Sequence, residues 1–396
     1  MNRKTVLMAT NLSVWSMANN KGASSFYKTL KLYNDKGLNI ILFSTEAQLN
    51  LPELKLVRCV KVPKLKNINK RYLYTVSRIF NYLISNIIFL FIFLKKNLKV
   101  DIFYGYEIEF IPALKLLSII KNKPIISRFQ GTILFPLLTN KLWWIKYFPH
   151  YFSLRLKTDL TIMTNDGTNG DDVIMRIRGN SLNVLFLRNG LDFYSITENE
   201  ISNKVKALSQ STNDYTFNFI SVSRIEHWKR LDRSIDVFQK FYERFPNSRY
   251  LIVGEGEELA HLKKYAIQKK LDKNVLFVGA VSNREANYLM GSSNIFLSHY
   301  QLSNLGNPLW EAIYNKCLIV TIANGATGKV IKDGINGIIS NEDIYVENAE
   351  KLIEIIEKRK ESQLMQAALD ALKNEICSWK ERMEYEFQFV IGFVNK

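Results

Sequence analysis

The chain has 396 residues, 47% of them hydrophobic, and no low-complexity tract or short repeat, which excludes a disordered or fibrous protein and suits two globular domains. Three scattered cysteines (Cys59, Cys317, Cys377) give no disulfide framework, and four histidines without ligand spacing lead us to expect no metal. The net charge of +17 is lopsided: residues 1–195 carry 28 Lys/Arg against 11 Asp/Glu, residues 196–396 carry 26 against 26, so the positive field lies in the first half and suits a nucleic acid, an anionic membrane or a phosphorylated ligand.

Along the chain, the first apolar run in "MNRKTVLMATNLSVWSMA" is cut by Thr10, Asn11 and Ser13, so Thr5–Thr10 reads as a buried strand and not as an export signal. Short apolar runs then alternate with amphipathic stretches, the pattern of a parallel sheet covered by helices on both faces. In the first half strands are expected at Val6–Ala9, Leu38–Phe43, Ile102–Tyr104, Pro124–Ser127, Leu160–Met163 and Val184–Leu187. In the second half they fall at Asn218–Val222, Tyr250–Val253, Val275–Val278, Ile295–Ser298, Leu318–Thr321 and Gly337–Ile339. Helices are expected at Ser25–Asp35, Leu231–Phe245, Glu257–Lys269 and Val346–Arg359. The polar stretch "ITENEISNKVKALSQSTNDY" marks a join. We therefore expect two α/β domains, 1–200 and 201–376, facing a central cleft, with ligands at the carboxyl ends of their strands.

Between Leu54 and Val100 there are eleven Lys/Arg and no acid. Within that stretch "YLISNIIFLFIFL" (Tyr82–Leu94) is shorter than the roughly 20 residues of a membrane span, and the strand "DIFYGY" follows at once. It reads as a helix of the first domain, either buried or packed by one face with the other offered to an anionic bilayer. "NKLWWIKYFPHYFSLRLK" interleaves Trp143, Trp144, Tyr147 and Phe148 with Lys141, Lys146, Arg155 and Lys157, a composition that fits an interface or an aromatic core.

Three loops after strands of the second half point to an anionic ligand. In "FISVSRIEHWKR", Arg224 and Lys229 stand beside a helix start, where donors and helix dipole favour a diphosphate together; the alternative is a pair of solvated cations. "IVGEGEE" offers only G-x-G and lacks the last glycine of a dinucleotide fingerprint, so it reads as a tight turn. In "LSNLGNPLWEA", Gly306 allows close approach, Pro308 suits a first helical turn, and Glu311 can accept hydrogen bonds from sugar hydroxyls. Otherwise Glu311 only complements a helix dipole.

The ordered set "SRIEHWKR", "LIVGEGEEL", "NVLFVGAVS", "SNLGNPLWEA", "DGINGII" resembles the C-terminal domain of GT-B glycosyltransferases of retaining family 4. In the first half "NKGASSFYKTL", "PIISRFQGT" and "LRNGLD" resemble that family's glycine loop, active-site loop and closing strand, and "SWKERMEYEF" its terminal helix crossing back to the N-domain, here residues 377–396. The resemblance implies that Arg224 and Lys229 bind the donor's phosphates and Glu311 its ribose. It implies that Asn304, Leu305, Gly306 and Asn307 give backbone N–H groups to the diphosphate, that Phe277, Val278 and Gly279 border the base, and that Gly22 approaches the donor phosphates and acceptor. The first glutamate of the family's E-x7-E motif falls on Ser303, or on Gln301 if counted from the strand. Gln130 stands where many members have histidine, and Lys329 where a glutamate is common.

The implied chemistry is retaining sugar transfer from a nucleotide-diphosphate sugar, a co-substrate and not a cofactor, with no protein nucleophile and no metal. Its acceptor would be a lipid-linked saccharide or polysaccharide in bacterial surface polysaccharide synthesis, met at the inner face of the cell membrane by a cytoplasmic, peripheral enzyme. Rival readings are a basic nucleic-acid-binding protein, disfavoured because no recognised module is present, and a GT-B relative with other chemistry such as epimerisation.

Overall fold

Strands covered on both faces are near-continuous apolar runs, and every expected run folds as a strand. The structure, a computed structural model, describes residues 3–12, 24–45, 52–68, 70–179, 183–193 and 196–394. The first sheet has seven strands among the described residues: β1 (Thr5–Thr10), β2 (Asn39–Ser44), β3 (Val57–Lys61), β4 (Ile102–Tyr106), β5 (Ile125–Phe129), β6 (Leu160–Thr164) and β7 (Val184–Leu187). Their order is β3-β2-β1-β4-β5-β6-β7, all parallel. β3 was not expected. Its sequence, "VRCVK", is short and partly charged because it lies at the sheet edge.

Helices α1 (Ser24–Asp35), α2 (Arg71–Lys96), α3 (Ile111–Lys121), α4 (Phe148–Arg155) and α5 (Gly170–Arg178) belong to this sheet's domain. The apolar run Tyr82–Leu94 is only the second half of α2, a 26-residue helix that begins at Arg71. One face of α2 packs inward through Tyr82, Phe89 and Phe93, each at most 2% exposed, and Asn86 ties it to the Glu109 carbonyl and the Ala113 amide. Its opposite face is apolar and exposed: Leu73, Val76, Phe80, Leu83, Ile87, Phe91 and Leu94 recur every three or four residues. The aromatic segment divides likewise, with Trp143 and Tyr147 packed against a core cluster and Leu142, Trp144 and Ile145 exposed.

The second sheet comprises β8 (Phe217–Val222), β9 (Ser248–Val253), β10 (Val275–Gly279), β11 (Ile295–Ser298), β12 (Leu318–Ile322) and β13 (Ile338–Ser340), ordered β10-β9-β8-β11-β12-β13 and again parallel. Around it lie α6 (Asn203–Gln210), α7 (Leu231–Arg244), α8 (Leu259–Gln268), α9 (Asn283–Gly291), α10 (Asn307–Tyr314), α11 (Glu347–Glu357) and α12 (Glu361–Glu375). In each sheet the strand order reverses once, at β1/β4 and at β8/β11, and loops at such a switch point are where α/β folds hold ligands.

A last helix, α13 (Trp379–Val394), is part of the first domain and packs on α1. Glu386 holds it there. Its fully buried carboxylate accepts from Arg128 of β5, from Arg382 at 2.7 Å and from the Tyr104 hydroxyl at 2.9 Å. A buried carboxylate survives only with such partners. The two domains divide at residues 189/190 and 378/379, where the expected joins were 200/201 and 376/377. Residues 166–168 group with the second domain although they follow β6.

Candidate functional site

β8 ends at Val222 beside the switch point, and Ser223–Arg230 runs from its carboxyl end. Two glycines of "IVGEGEE" shape that segment. Gly254 has φ +137°, and a Cβ there would lie 1.9 Å from the Ser223 carbonyl oxygen; at Gly256 it would lie 2.2 Å from that of Ile225. Backbone meets backbone, and the Ile225 N–H donates to the Glu255 carbonyl at 2.8 Å. The G-x-G glycines are there for close packing against this loop.

Arg224 is 69% exposed and pairs with Glu226 at 2.6 Å. Lys229 closes the short turn His227–Lys229, its Nζ 3.9 Å from the Trp228 ring centroid and 3.8 Å from that of Tyr300. Desolvation, aided by Arg224, pulls its pKa down to about 7 against the pull of Glu226 and Asp166. The loop therefore presents one exposed cation and one poorly hydrated ammonium, whose charge an arriving anion would stabilise.

The loop after β11 departs from expectation. The Asn304 N–H donates to Thr327 Oγ1 at 3.0 Å and the Leu305 N–H to Ser303 Oγ at 3.2 Å, so two of the four amides expected to face a diphosphate are taken by protein hydroxyls. Asn304 is 1% exposed, and its Oδ1 accepts from the Tyr300 N–H. The Leu305 side chain is buried in the core. Ser303 Oγ donates to the Asp166 carbonyl at 2.8 Å, so its hydroxyl hydrogen is not offered to a sugar. Gly306 and Asn307 open α10. A Cβ on Gly306 would meet nothing nearer than Pro308 Cδ at 3.7 Å, which leaves room above it. Glu311 is half-buried on α10.

Phe277, Val278 and Gly279 end the edge strand β10, and the Gly279 carbonyl accepts from the Gly254 N–H at 2.9 Å, joining that turn to the Arg224 loop. Phe277 is half-buried, while Val278 is buried and its carbonyl takes a hydrogen bond from Lys204. Lys329 is exposed on the short helix Thr327–Val330. Gln130 belongs to the first domain, at the carboxyl end of β5. Its Nε2 donates to Ser25 Oγ at 2.9 Å and to the Tyr106 hydroxyl at 2.8 Å, so both amide hydrogens are engaged. Gly22 lies outside the described residues.

Sequence reasoning missed Asp166. Burial raises its pKa to about 6, and Lys229 lowers it in turn, so the two charges interact. The available signal was "TNDGT": a turn directly after a buried strand and before a helix, the same position that singled out the other loops.

Two doubly wound Rossmann-like α/β domains are the fold of the GT-B glycosyltransferases. Residues 206–369 match the family model described as glycosyl transferases group 1. The chain is 28% identical over 144 residues to the alpha-monoglucosyldiacylglycerol synthase of Acholeplasma laidlawii, a match covering 36% of each. It is also 28% identical over 134 residues to the poly(glycerol-phosphate) alpha-glucosyltransferase of Bacillus subtilis, which covers 34% of this chain and 19% of that protein. These matches thus span about a third and a fifth of those relatives. The solved structure of Anabaena HepE in complex with UDP superposes with a TM-score of 0.70 at 14% identity, covering 98% of this chain and 99% of that one.

Proposed function

We propose that the protein is a retaining, family 4-like glycosyltransferase that moves a sugar from a nucleotide-diphosphate donor to a lipid-linked saccharide or polysaccharide. The observation that carries this reading is Arg224 and Lys229 on the loop after β8, at the switch point of the domain that holds the family match. The printed names of the relatives, a glucosyl-lipid synthase and a polymer glucosyltransferase, support the acceptor class. The UDP held by the HepE neighbour supports the donor class.

In this reading the incoming diphosphate draws Arg224 from Glu226 and restores full charge to Lys229. As the bond between anomeric carbon and phosphate oxygen lengthens, both cations neutralise the leaving group, with the N-terminus of α10 close by. The acceptor hydroxyl attacks from the same face, and the departing phosphate oxygen takes its proton. No protein nucleophile and no metal enter the scheme. Glu311 accepts from the ribose hydroxyls, and Phe277–Gly279 border the base. The test is calorimetric titration with UDP and GDP. Binding of one that Arg224→Ala weakens at least tenfold, without loss of thermal stability, supports the reading; absence of binding by either nucleotide ends it.

The acceptor side concerns α2. By length and composition Leu73–Lys96 is apolar enough to cross a membrane. Asn86 and the aromatic inner face nevertheless bind it to its own domain, and a spanning helix would forfeit those contacts. The outward stripe instead suits a helix lying in the plane of an anionic bilayer, flanked by the exposed cations Lys70, Lys95 and Lys96. We therefore place the enzyme at the inner membrane face as a peripheral protein, with no role for nucleic acid. Sedimentation with phosphatidylglycerol vesicles, set against polynucleotide at equal salt, separates the two partners.

A further inference from the structure

Asp166, Gly167 and Thr168 leave the first sheet's chain and pack in the second domain. Gly167 is the anchor. It has φ +81°, and a Cβ there would lie 2.3 Å from Ser303 Oγ and 2.9 Å from Leu305 Cδ1. Its carbonyl accepts from the Ala326 N–H at 2.8 Å, and a Cβ on Gly325 would come within 2.3 Å of that same oxygen. Ser303 Oγ holds the Asp166 carbonyl. The tripeptide is thus seated on the loops that follow β11 and β12, fixed through its backbone. Asp166 Oδ1 accepts from the Thr168 N–H at 3.1 Å and from its hydroxyl at 2.6 Å. Oδ2 takes no part in the bonds to Thr168.

We propose that Asp166 is a donor-binding carboxylate, accepting hydroxyl hydrogens from the sugar of the nucleotide sugar whose diphosphate Arg224 and Lys229 grip. This rests on the function proposed above. Between Ser298 and Glu311 the loop after β11 contains no acid, and the Ser303 hydroxyl is spent on the Asp166 backbone. The seat therefore exchanges a side chain on that loop for one delivered from elsewhere in the chain. An ionised carboxylate is acceptor-only, so beside the ammonium that grips a diphosphate Asp166 suits hydroxyl donors and not phosphate oxygens. A sugar joined to the terminal phosphate brings those hydroxyls.

The experiment uses Asp166→Asn, whose carbonyl can still accept from Thr168 and keep the turn, while the charge is lost. Affinities for UDP, GDP, UDP-glucose, UDP-N-acetylglucosamine and GDP-mannose are measured by calorimetry for both proteins, at pH 7.5 and pH 5.5. The expected result is that, for the donor whose sugar fits, the affinity for nucleotide sugar relative to its parent diphosphate falls about tenfold in the variant. The readout is this ratio, because diphosphate affinity alone also follows the charge of Lys229, which Asp166 supports, and the ratio for the wild type at pH 5.5 moves toward the variant's as its carboxyl protonates. Equal weakening of diphosphate and nucleotide sugar would assign Asp166 a structural role, and unchanged ratios throughout the panel would remove it from the sugar site; either overturns the proposal. Failure of the wild type to bind any of the five ligands sinks the underlying functional reading as well, which is how the two failures are told apart.

Discussion

Helices α2 and α7 do the same job in their own domains and meet different surroundings. Each lays aromatic side chains on a parallel sheet: Tyr82, Phe89 and Phe93 from α2, Phe238 and Phe241 from α7. On its other side α7 is charged, with Arg244 paired to Glu357 at 2.8 Å and Lys240 to Glu350. The outer side of α2 is a row of exposed leucine, isoleucine, valine and phenylalanine, and the helix contains no acid. A sheet needs only one apolar helix face, so the second apolar face of α2 answers to a medium other than water. The division extends to the domains: one half carries a basic, apolar surface, the other a balanced surface around a cationic loop.

The strongest test of this division is Arg224→Ala, expected to lower turnover about 10³-fold through loss of leaving-group stabilisation, in a steady-state assay of free nucleotide release. Vesicle binding should be unchanged. If sedimentation falls together with turnover, the domains do not divide the work as stated. Next, Phe89→Ala should destabilise the first domain by about 3 kcal/mol in denaturant unfolding, because it opens a cavity against Phe43 and Phe110, whereas Phe91→Ala two residues on should leave the midpoint unmoved. A third measurement uses the triple variant Phe80→Ser, Ile87→Ser, Phe91→Ser. At roughly 1 kcal/mol for each partly inserted side chain, vesicle affinity should drop about 100-fold with nucleotide affinity intact.

Smaller effects sharpen the cationic side. Lys229 titrates at about 7, so it is charged below that pH and neutral above it. A diphosphate binds the charged form, hence affinity should decline as pH rises above 7, by at most about tenfold per unit. Lys229→Arg should flatten that slope, since guanidinium keeps its proton, and an unchanged slope would move the titration elsewhere. Glu311→Gln should cost about tenfold in nucleotide affinity, measured as UDP against its 2′-deoxy analogue, with the variant no longer distinguishing them.

The sheets were legible because strands buried on both faces are near-continuous apolar runs, as in Ile295–Leu297 and Leu318–Val320. β3 escaped because an edge strand needs only partial burial, and "VRCVK" reads like the basic stretch around it. The extent of α2 escaped for a related reason: from Arg71 to Asn81 apolar and polar residues mix, and only the helical turn sorts them into faces. In the site, Arg224 and Lys229 were readable as cations directly after a strand. What Ser303 and Asp166 do was not, because it follows from a contact between segments 137 residues apart. Nor does an asparagine reveal that its N–H is claimed by a threonine 23 residues later.

The ion cluster on α13 also constrains synthesis. Arg128 leaves the ribosome long before Glu386, its counter-ion, and the intervening 258 residues take roughly 13 to 52 seconds at 5–20 residues per second. Throughout that interval the first sheet lacks the carboxylate that allows its arginine to go under, while the second sheet can already close. The nascent chain should therefore mature out of order, the later half settling before the earlier one is sealed.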